Sequence, residues 1–346
     1  MELGTLKTAP MKVFEVRAFG IDQLAQAERE TPRPRSREVL VRLKAASLNY
    51  RDLMVVEGRY NPNLKRPMVP LSDGMGVVEE VGPEVTRFQK GDRVAACFMQ
   101  SWIDGPPKHE HGASALGGSV DGVLREYAVF SEEGLVRVPD SLTDEEAATL
   151  PCAAVTAWNA LFESVPPVPG ETVLLQGTGG VSIFALQFAK AAGLKTILTS
   201  SSEEKIKRAR QLGADFTIHY QQTPNWEEEV RKLTDGRGVD RIIEVGGSGT
   251  LQRSLKAIRT YGLISVIGVL SGGMEPAISP ASVLMNSVRL YGIYVGSRAM
   301  FERMLRAIEQ HRIKPVIDRV FPWTSIRDAL HYMKSQQHFG KICLTF

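Results

Sequence analysis

The stretch VLLQGTGGVSIFALQFAKAAGLKTILTSSS, Val173 to Ser202, decides the fold. Val173 to Gln176 reads as a buried strand, and Val181 to Ala192 as a helix apolar on most sides, interrupted by Gln187 and Lys190. A second strand, Thr196 to Thr199, follows. A glycine-rich turn between strand and helix is sometimes mere punctuation, so its flanks must decide. Gly177, Gly179 and Ser182 fall on a G-x-G-x-x-G spacing with serine in the third place. In that pattern the first glycine makes a tight turn and the second admits a pyrophosphate to the backbone. The third position needs only a small side chain, so that helix and strand pack. The turn residues Gly177, Thr178, Gly179, Gly180 and Val181 then line an anion site at the helix N-terminus. Strand, turn, helix and second strand together predict a dinucleotide-binding unit.

In NAD-binding units an acidic residue about 20 positions past the glycines accepts the ribose 2′-hydroxyl, and its charge repels a 2′-phosphate. Here the second strand ends in Ser200, Ser201 and Ser202, with Lys205 and Arg208 close behind. Hydroxyls and cations suit a phosphate, which favours NADP(H) over NAD(H). The same residues also read as a capped helix: Ser202 suits the N-cap of Glu203 to Leu212, with Ile206, Ala209 and Leu212 as a core stripe. The two readings are compatible. Glu203 and Glu204 nearby leave the cofactor preference open.

At 346 residues the chain is long enough for two domains. Its 43% hydrophobic and 23% charged residues are those of a soluble globular protein. A net charge of +3, with no block of cations, argues against a nucleic-acid partner. Cys97, Cys152 and Cys343 are scattered thiols, which fit a reducing cytoplasm better than a disulfide scaffold. No secretory pattern opens the chain and no apolar run reaches membrane-span length, so the expectation is a cytoplasmic enzyme without a membrane partner.

The character of the chain changes near Leu150. Before it lie short β-like segments separated by turn signals: Val39 to Ala46, Met75 to Val81, Arg93 to Cys97, Tyr127 to Phe130 and Leu135 to Val138. After it, apolar runs starting at Val173, Thr196, Phe216, Arg241, Leu263 and Arg289 alternate with helical patterns, which predicts a doubly wound parallel sheet. Helices near Ala299 to His311 and Ser325 to Ser335 follow, then a strand from Lys341 to Phe346. Trp102 to Gly122 reads as a long loop, expected to line the substrate region together with Tyr60 and Tyr294. Its His109 and His111 read as solvated rather than metal-bound.

A set of ordered segments carries a family resemblance: SLNYRDLMVVEGRY (Ser47 to Tyr60), GMGVVEEVG (Gly74 to Gly82), GDRVAA (Gly91 to Ala96), LPCAAVTAWNAL (Leu150 to Leu161), GTGGVSIFALQFAKAAG (Gly177 to Gly193), RARQLGAD (Arg208 to Asp215) and FGKICL (Phe339 to Leu344). With these the chain resembles the medium-chain dehydrogenase/reductase superfamily over nearly its whole length. The resemblance implies an α/β fold: a GroES-like β-rich catalytic domain of residues 1–151 and 299–346, and a doubly wound parallel Rossmann sheet in residues 152–298. It puts the site in the cleft between the domains.

Zinc-bearing members hold a catalytic ion with Cys, His and Cys, and by resemblance the matching positions here are Asn49, Ser72 and Cys152. One thiolate does not make a tetrahedral Zn²⁺ site. The four-cysteine lobe is missing too, since Cys97 stands alone, so no metal is expected. The chain instead resembles the zinc-free quinone oxidoreductase branch and its zinc-type alcohol dehydrogenase-like relatives. In a metal-free site the substrate oxygen needs hydrogen-bond donors where negative charge builds. By resemblance Asn49, Tyr50 and Tyr60 are those donors and Asp52 orients them; a phenol of reference pKa about 10 stays protonated at neutral pH. Their bland reading is structural: Asn49 as the N-cap of a short helix with Asp52 in its first turn, either tyrosine as a core aromatic.

Further cofactor contacts follow by resemblance. Thr156 is expected at the nicotinamide half, Tyr220 beside Lys205 at the adenosine phosphate, and Gly246, Gly268, Val269 and Leu270 at strand ends on the carboxyl edge of the sheet. Lys341 is expected as a late cofactor contact. The implied function is zinc-independent, NADP(H)-dependent transfer of hydride between nicotinamide and a small carbonyl, quinone, enone or alcohol. A nucleotide-binding protein without catalysis and a zinc-dependent alcohol dehydrogenase remain as alternatives. A homodimer is expected through the edge strand near Val288 to Val295, as in relatives.

Overall fold

A computed structural model describes residues 10–268 and 280–346. It divides into two compact units, one ending at Cys152 and resuming at Gly296, the other running from Ala153 to Val295. The first unit opens with strands β1 (Pro10–Val16), β2 (Leu24–Glu30) and β3 (Glu38–Ser47), helix α1 (Tyr50–Val56), strands β4 (Asp73–Val81), β5 (Arg93–Ala96), β6 (Tyr127–Ser131) and β7 (Leu135–Arg137), and helix α2 (Asp144–Ala148). The second contains α3 (Val155–Trp158), β8 (Thr172–Gln176), α4 (Gly180–Ala191), β9 (Lys195–Ser200), α5 (Glu203–Gln211), β10 (Phe216–His219), α6 (Trp226–Leu233), β11 (Val239–Glu244), α7 (Leu251–Ala257), β12 (Ile258–Val266), α8 (Pro280–Met285) and β13 (Arg289–Gly292). The chain then returns to the first unit with α9 (Arg298–His311), β14 (Ile317–Pro322), α10 (Ile326–Lys334) and β15 (Lys341–Thr345).

In the first unit β3 organises the main sheet, whose order is β14-β15-β3-β4-β5-β7, with β6 also on β3. One edge of β3 pairs antiparallel with β4 along its length; the other takes β6 on Glu38–Arg42 and β15 on Ala45–Ser47. The register sets Ser47 opposite both Asp73 and Cys343. The end of β3 and the starts of β4 and β15 therefore meet at one edge of the sheet. β1 and β2 form a separate antiparallel pair that sequence reading passed over, because β2 (LAQAERE) carries too many polar residues to signal a strand. Val13, Val16, Leu24, Val41, Leu53 and Leu124 belong to the core that closes this unit.

The second unit is a six-stranded sheet of order β10-β9-β8-β11-β12-β13 in which every pairing is parallel, as the alternating pattern predicts. β8 and β11 are buried at every residue, as central parallel strands covered on both faces must be. Strand order reverses between β8 and β11, and ligands of doubly wound sheets bind outside the carboxyl ends of the strands at such a switch point.

Those two strand ends are tied together by one carboxylate. Glu244, the last residue of β11, is fully buried. Its Oε1 accepts from the N–H of Gly246 (2.9 Å), the N–H of Gly247 (3.0 Å) and the hydroxyl of Thr250 (2.5 Å), and its Oε2 from Gln176 Nε2 (2.7 Å) and the Ser254 hydroxyl. Gln176 Oε1 in turn accepts from the N–H of Val245 and of Gly246, each at 3.3 Å. A carboxylate alone offers two acceptor oxygens to five donors; a carboxamide of the same shape turns an NH₂ onto some of them. Glu244→Gln is therefore expected to cost about 2 kcal/mol of unfolding free energy, for hydrogen bonds to a charged group lost and buried donors left unpaired. Denaturant unfolding of the variant and the wild type measures this, and equal midpoints would refute it.

Candidate functional site

The edge where β3, β4 and β15 meet carries a buried polar chain. Asn49 occupies the N-cap position of α1. Its backbone N–H donates to Asp52 Oδ2 at 2.8 Å, so Asp52 in the first helical turn fixes the backbone at Asn49. The Asn49 side chain faces the neighbouring strands. Its Nδ2 donates to Ser72 Oγ at 3.4 Å, and its Oδ1 accepts from the Lys341 ammonium at 2.6 Å. Ser72 donates onward to Asp73 Oδ1 at 2.9 Å, and Asp73 Oδ2 accepts from the N–H of Cys152 at 3.1 Å. Lys341 also donates to the carbonyl of Leu48 at 2.6 Å.

Charge is concentrated here on side chains shielded from bulk solvent. Asp52, Asp73 and Ser72 are fully buried and Lys341 nearly so. Burial pushes the Asp52 carboxyl up to about 6, against the pull of Arg51. Burial raises Asp73 as well, outweighing the nearby Lys341 ammonium and the hydrogen bonds of Asn49 and Ser72. The Cys152 thiol is pushed up by burial and then by the negative charge of Asp73. Among the described residues no group of three or more His, Cys, Asp or Glu side chains could hold a metal ion.

The two tyrosines part company. Tyr60 is 38% exposed, and the Arg51 guanidinium lies over its ring, 5.0 Å from the centroid. That guanidinium also covers the Phe98 ring at 4.7 Å, donates to the Leu116 carbonyl at 2.9 Å, and sits 3.7 Å from Asp52. Arg51, which sequence reading did not single out, thus links Tyr60 to the helix turn that holds Asn49. Tyr50 packs against the hydrophobic core, under Arg59 at 5.9 Å, and shares none of the contacts just described. Tyr50 lies against the core, whereas Tyr60 keeps part of its surface exposed.

The long loop also differs from expectation. Trp102 is buried at 1% exposure, its indole N–H donating to Gly105 O and its ring stacked on His111 at 5.7 Å. It is a core residue rather than a lining one. His111 is likewise buried, its Nδ1 accepting from the N–H of Lys108, so it is not solvated.

In the second unit the glycine turn has the form the spacing predicts. Gly177 has φ +71°, a left-handed conformation that favours glycine. A side chain built at Gly177 or Gly179 would project into open space, the room a bound ligand would fill. Gly179 caps α4, whose first turn, Gly180 and Val181 onward, presents N–H groups that lack intrahelical partners; Thr178 is buried within the turn. Ser182 in the third place is buried and donates to the carbonyl of Gln176 at 2.6 Å, so the small side chain packs helix onto strand as argued. Thr156 is buried on α3, between the π-helical turns Leu150–Ala154 and Asn159–Glu163.

The serine cluster is split by burial. Ser200 is 2% exposed and its Oγ accepts from the N–H of Ser202 at 3.4 Å, which turns it inward. Ser202 caps α5, its Oγ accepting from the N–H of Lys205 at 3.4 Å, so the capped-helix reading holds. Ser201 is half-buried. Tyr220 is exposed and donates its N–H to the Ser200 carbonyl. At Gly246 the expectation changes: Glu244 already takes its N–H, which leaves that group committed to the fold. A side chain at Gly268 would meet the Val245 carbonyl at 2.1 Å, so close backbone approach explains this glycine. Val269 and Leu270 lie outside the described residues. Lys341, expected as a cofactor contact, has its ammonium on Asn49 and Leu48 instead.

Comparison with known proteins agrees with both units. Residues 35–140 match the alcohol dehydrogenase GroES-like domain, and residues 180–310 match the zinc-binding dehydrogenase family. The zinc-type alcohol dehydrogenase-like protein of Schizosaccharomyces pombe is 48% identical, over 94% of this chain and 96% of its own. Quinone oxidoreductase of Rattus norvegicus is 30% identical over 99% of both chains. A crystal structure of an NAD-dependent alcohol dehydrogenase superposes with a TM-score of 0.88 at 33% identity, covering 97% of this chain and 100% of the other. With likeness of that extent across both units, the chain belongs to the medium-chain dehydrogenase/reductase superfamily, as an oxidoreductase of the alcohol dehydrogenase and quinone oxidoreductase kind.

Proposed function

We propose that this oxidoreductase uses NADP(H) and works without zinc, moving hydride between nicotinamide and a small carbonyl, quinone, enone or alcohol. The observation that carries the reading is the state of Asn49 and Ser72. Zn²⁺ sites are built from thiolate, imidazole and carboxylate. The two positions that match metal ligands hold an amide and a hydroxyl, and both are already committed, Asn49 Oδ1 to the Lys341 ammonium and Ser72 Oγ to Asp73. An ammonium at 2.6 Å from a would-be ligand oxygen also opposes a second cation there by charge. The donor set does not suit zinc.

The glycine turn and the first turn of α4 suit a pyrophosphate: open space at Gly177 and Gly179, and unpaired helix N–H groups beside it. Ser201 and Lys205, with no carboxylate on the end of β9, support the 2′-phosphate form. Reduced nicotinamide supplies a hydride when bound. The protein supplies what the substrate oxygen needs as charge builds on it. Asn49 offers a neutral N–H donor on a carboxamide held from two sides, and Tyr60 offers a hydroxyl on a ring held by Arg51. The buried Asp52 and Asp73 stabilise the Lys341 ammonium that faces Asn49.

A homodimer through the edge of the second sheet completes the reading. β13 is an end strand, and Leu290, Tyr291 and Tyr294 on or beside it are exposed, with Leu284 at 76% and Met285 at 80% on α8. Exposed apolar side chains beside a strand that ends the sheet among the described residues suit a second copy of the chain. The buried, unpaired thiols of Cys97 and Cys343 suit the cytoplasm.

Four measurements test the proposal. With NADPH and a panel of quinones, enones and aldehydes, Asn49→Ala is expected to lower kcat by about 100-fold or more while leaving cofactor affinity within a few-fold. Wild-type turnover is expected to survive exhaustive chelation; a stoichiometric metal needed for activity, or silence on every substrate despite cofactor binding, would sink the reading. Ser201→Asp is expected to move the NADPH to NADH ratio of kcat/KM by about 10-fold or more towards NADH, and an unchanged ratio would remove Ser201 from phosphate recognition. Light scattering is expected to give the mass of two chains; a monomer removes the edge-strand interface.

A further inference from the structure

We propose that Lys341 is a positioning residue: its ammonium decides which way round the Asn49 carboxamide lies, and so makes Asn49 a hydrogen-bond donor to substrate. The inference rests on the reading of Asn49 as that donor. A carboxamide presents an oxygen that accepts and an NH₂ that donates, and rotation by half a turn exchanges them. An ammonium has donors only. Lys341 Nζ, 2.6 Å from Asn49, therefore requires the oxygen on its side, and the NH₂ must face the other way.

The far side agrees. Ser72 receives the Asn49 N–H and passes its own hydroxyl hydrogen to Asp73, so the bonds run in one direction from the Lys341 cation to the Asp73 carboxyl. Turning the amide over would set NH₂ against the ammonium, with two donors meeting in a site that excludes water. Both penalties fall on buried groups, where an unpaired donor costs most. At 3.4 Å the bond to Ser72 is the longest of the chain, and the NH₂ group that makes it, which also acts on Asp73, is the donor Asn49 has to offer.

The position of the ammonium is itself set by the backbone. Leu48 donates its N–H to Ile342 O at 3.0 Å and receives Lys341 on its carbonyl at 2.6 Å, so the pairing of β15 with the end of β3 carries the lysine to Asn49. Gly340, at φ +82°, turns the chain into β15 just before it, and a side chain there would meet the Val316 carbonyl at 2.4 Å. Nothing in this arrangement needs a nucleotide.

The test combines Lys341→Met, Lys341→Arg, Asn49→Ala and the double variant Lys341→Met with Asn49→Ala, each assayed for kcat at saturating NADPH and for NADPH affinity by fluorescence titration. Lys341→Met is expected to lower kcat by about 10- to 100-fold, to leave NADPH affinity within about threefold, and to add no further loss in the Asn49→Ala background. Lys341→Arg, which keeps a donor-only group, is expected to stay within about fivefold of wild type. A Lys341→Met enzyme that turns over normally, one whose defect is weakened NADPH binding at unchanged kcat, or losses that multiply in the double variant would each overturn the proposal. If Lys341→Met does not fold, the arginine variant decides: a 100-fold loss of kcat in a folded protein overturns the inference. Full activity of Asn49→Ala would instead sink the reading of Asn49 on which this one stands, a separate outcome.

Discussion

A lysine ammonium buried beside a neutral carboxamide is the constraint on which the first unit depends. Taking such a charge out of water costs several kcal/mol unless partners replace the water. Lys341 finds them in the Leu48 carbonyl and Asn49 Oδ1, with Asp73 and Asp52 near enough to act on it and be acted on. The lysine on β15 and its partners just after β3, on α1 and on β4 are distant in sequence, and they coincide because Ser47 is registered with Asp73 on one side and Cys343 on the other. A slip of one residue in either pairing would turn the side chains of that strand to the opposite face. The sheet register and the polar site are in this sense one object.

The second unit solves a similar problem with the opposite charge. Glu244 is a buried carboxylate with no cation bonded to it among the described residues; neutral donors hold it, two of them backbone N–H groups and three side chains. The result is a rigid joint between the last residue of β8, where the glycine turn begins, and the loop after β11. On the proposed reading the turn brings backbone amides to an anion and has to be fixed before the anion arrives, and preorganisation of this kind is what makes such amides effective.

Much of this was legible in the sequence. The strands of the second unit announce themselves because buried parallel strands are apolar at every position, and Val173 to Gln176 needs no tertiary context to be read. The glycine spacing and the Ser202 cap are likewise local signals. Asn49 and Asp52 were legible as a cap with its first-turn carboxylate, but the partners of the Asn49 side chain are 23 and 292 residues away, and no local pattern points to them. Glu244 lies in an apolar run that predicts burial and says nothing about the five donors waiting there. Burial, which sequence does not report residue by residue, separated Tyr60 from Tyr50, turned Ser200 inward and put Trp102 in the core. At Gly246 the residue type was right for a turn, and only the hydrogen bond to Glu244 showed that its N–H was spoken for.

On the proposed reading, the chemistry of the donors also bears on which substrates suit the site. A bound metal ion neutralises developing oxyanion charge directly, as a Lewis acid. One neutral N–H donor in a preorganised site contributes about 3 to 4 kcal/mol. That is enough where the product electron pair is already spread over a conjugated system, as in an enone or a quinone, and it is thin where the whole charge must rest on one alkoxide oxygen, as in a simple ketone. The Lys341 ammonium is buried, with two of its three N–H donors held by Asn49 and Leu48, and on the proposed reading it acts on the substrate through the amide it orients. A site so built favours electrophiles that delocalise charge themselves, and it makes the conjugated carbonyls the first place to look for turnover.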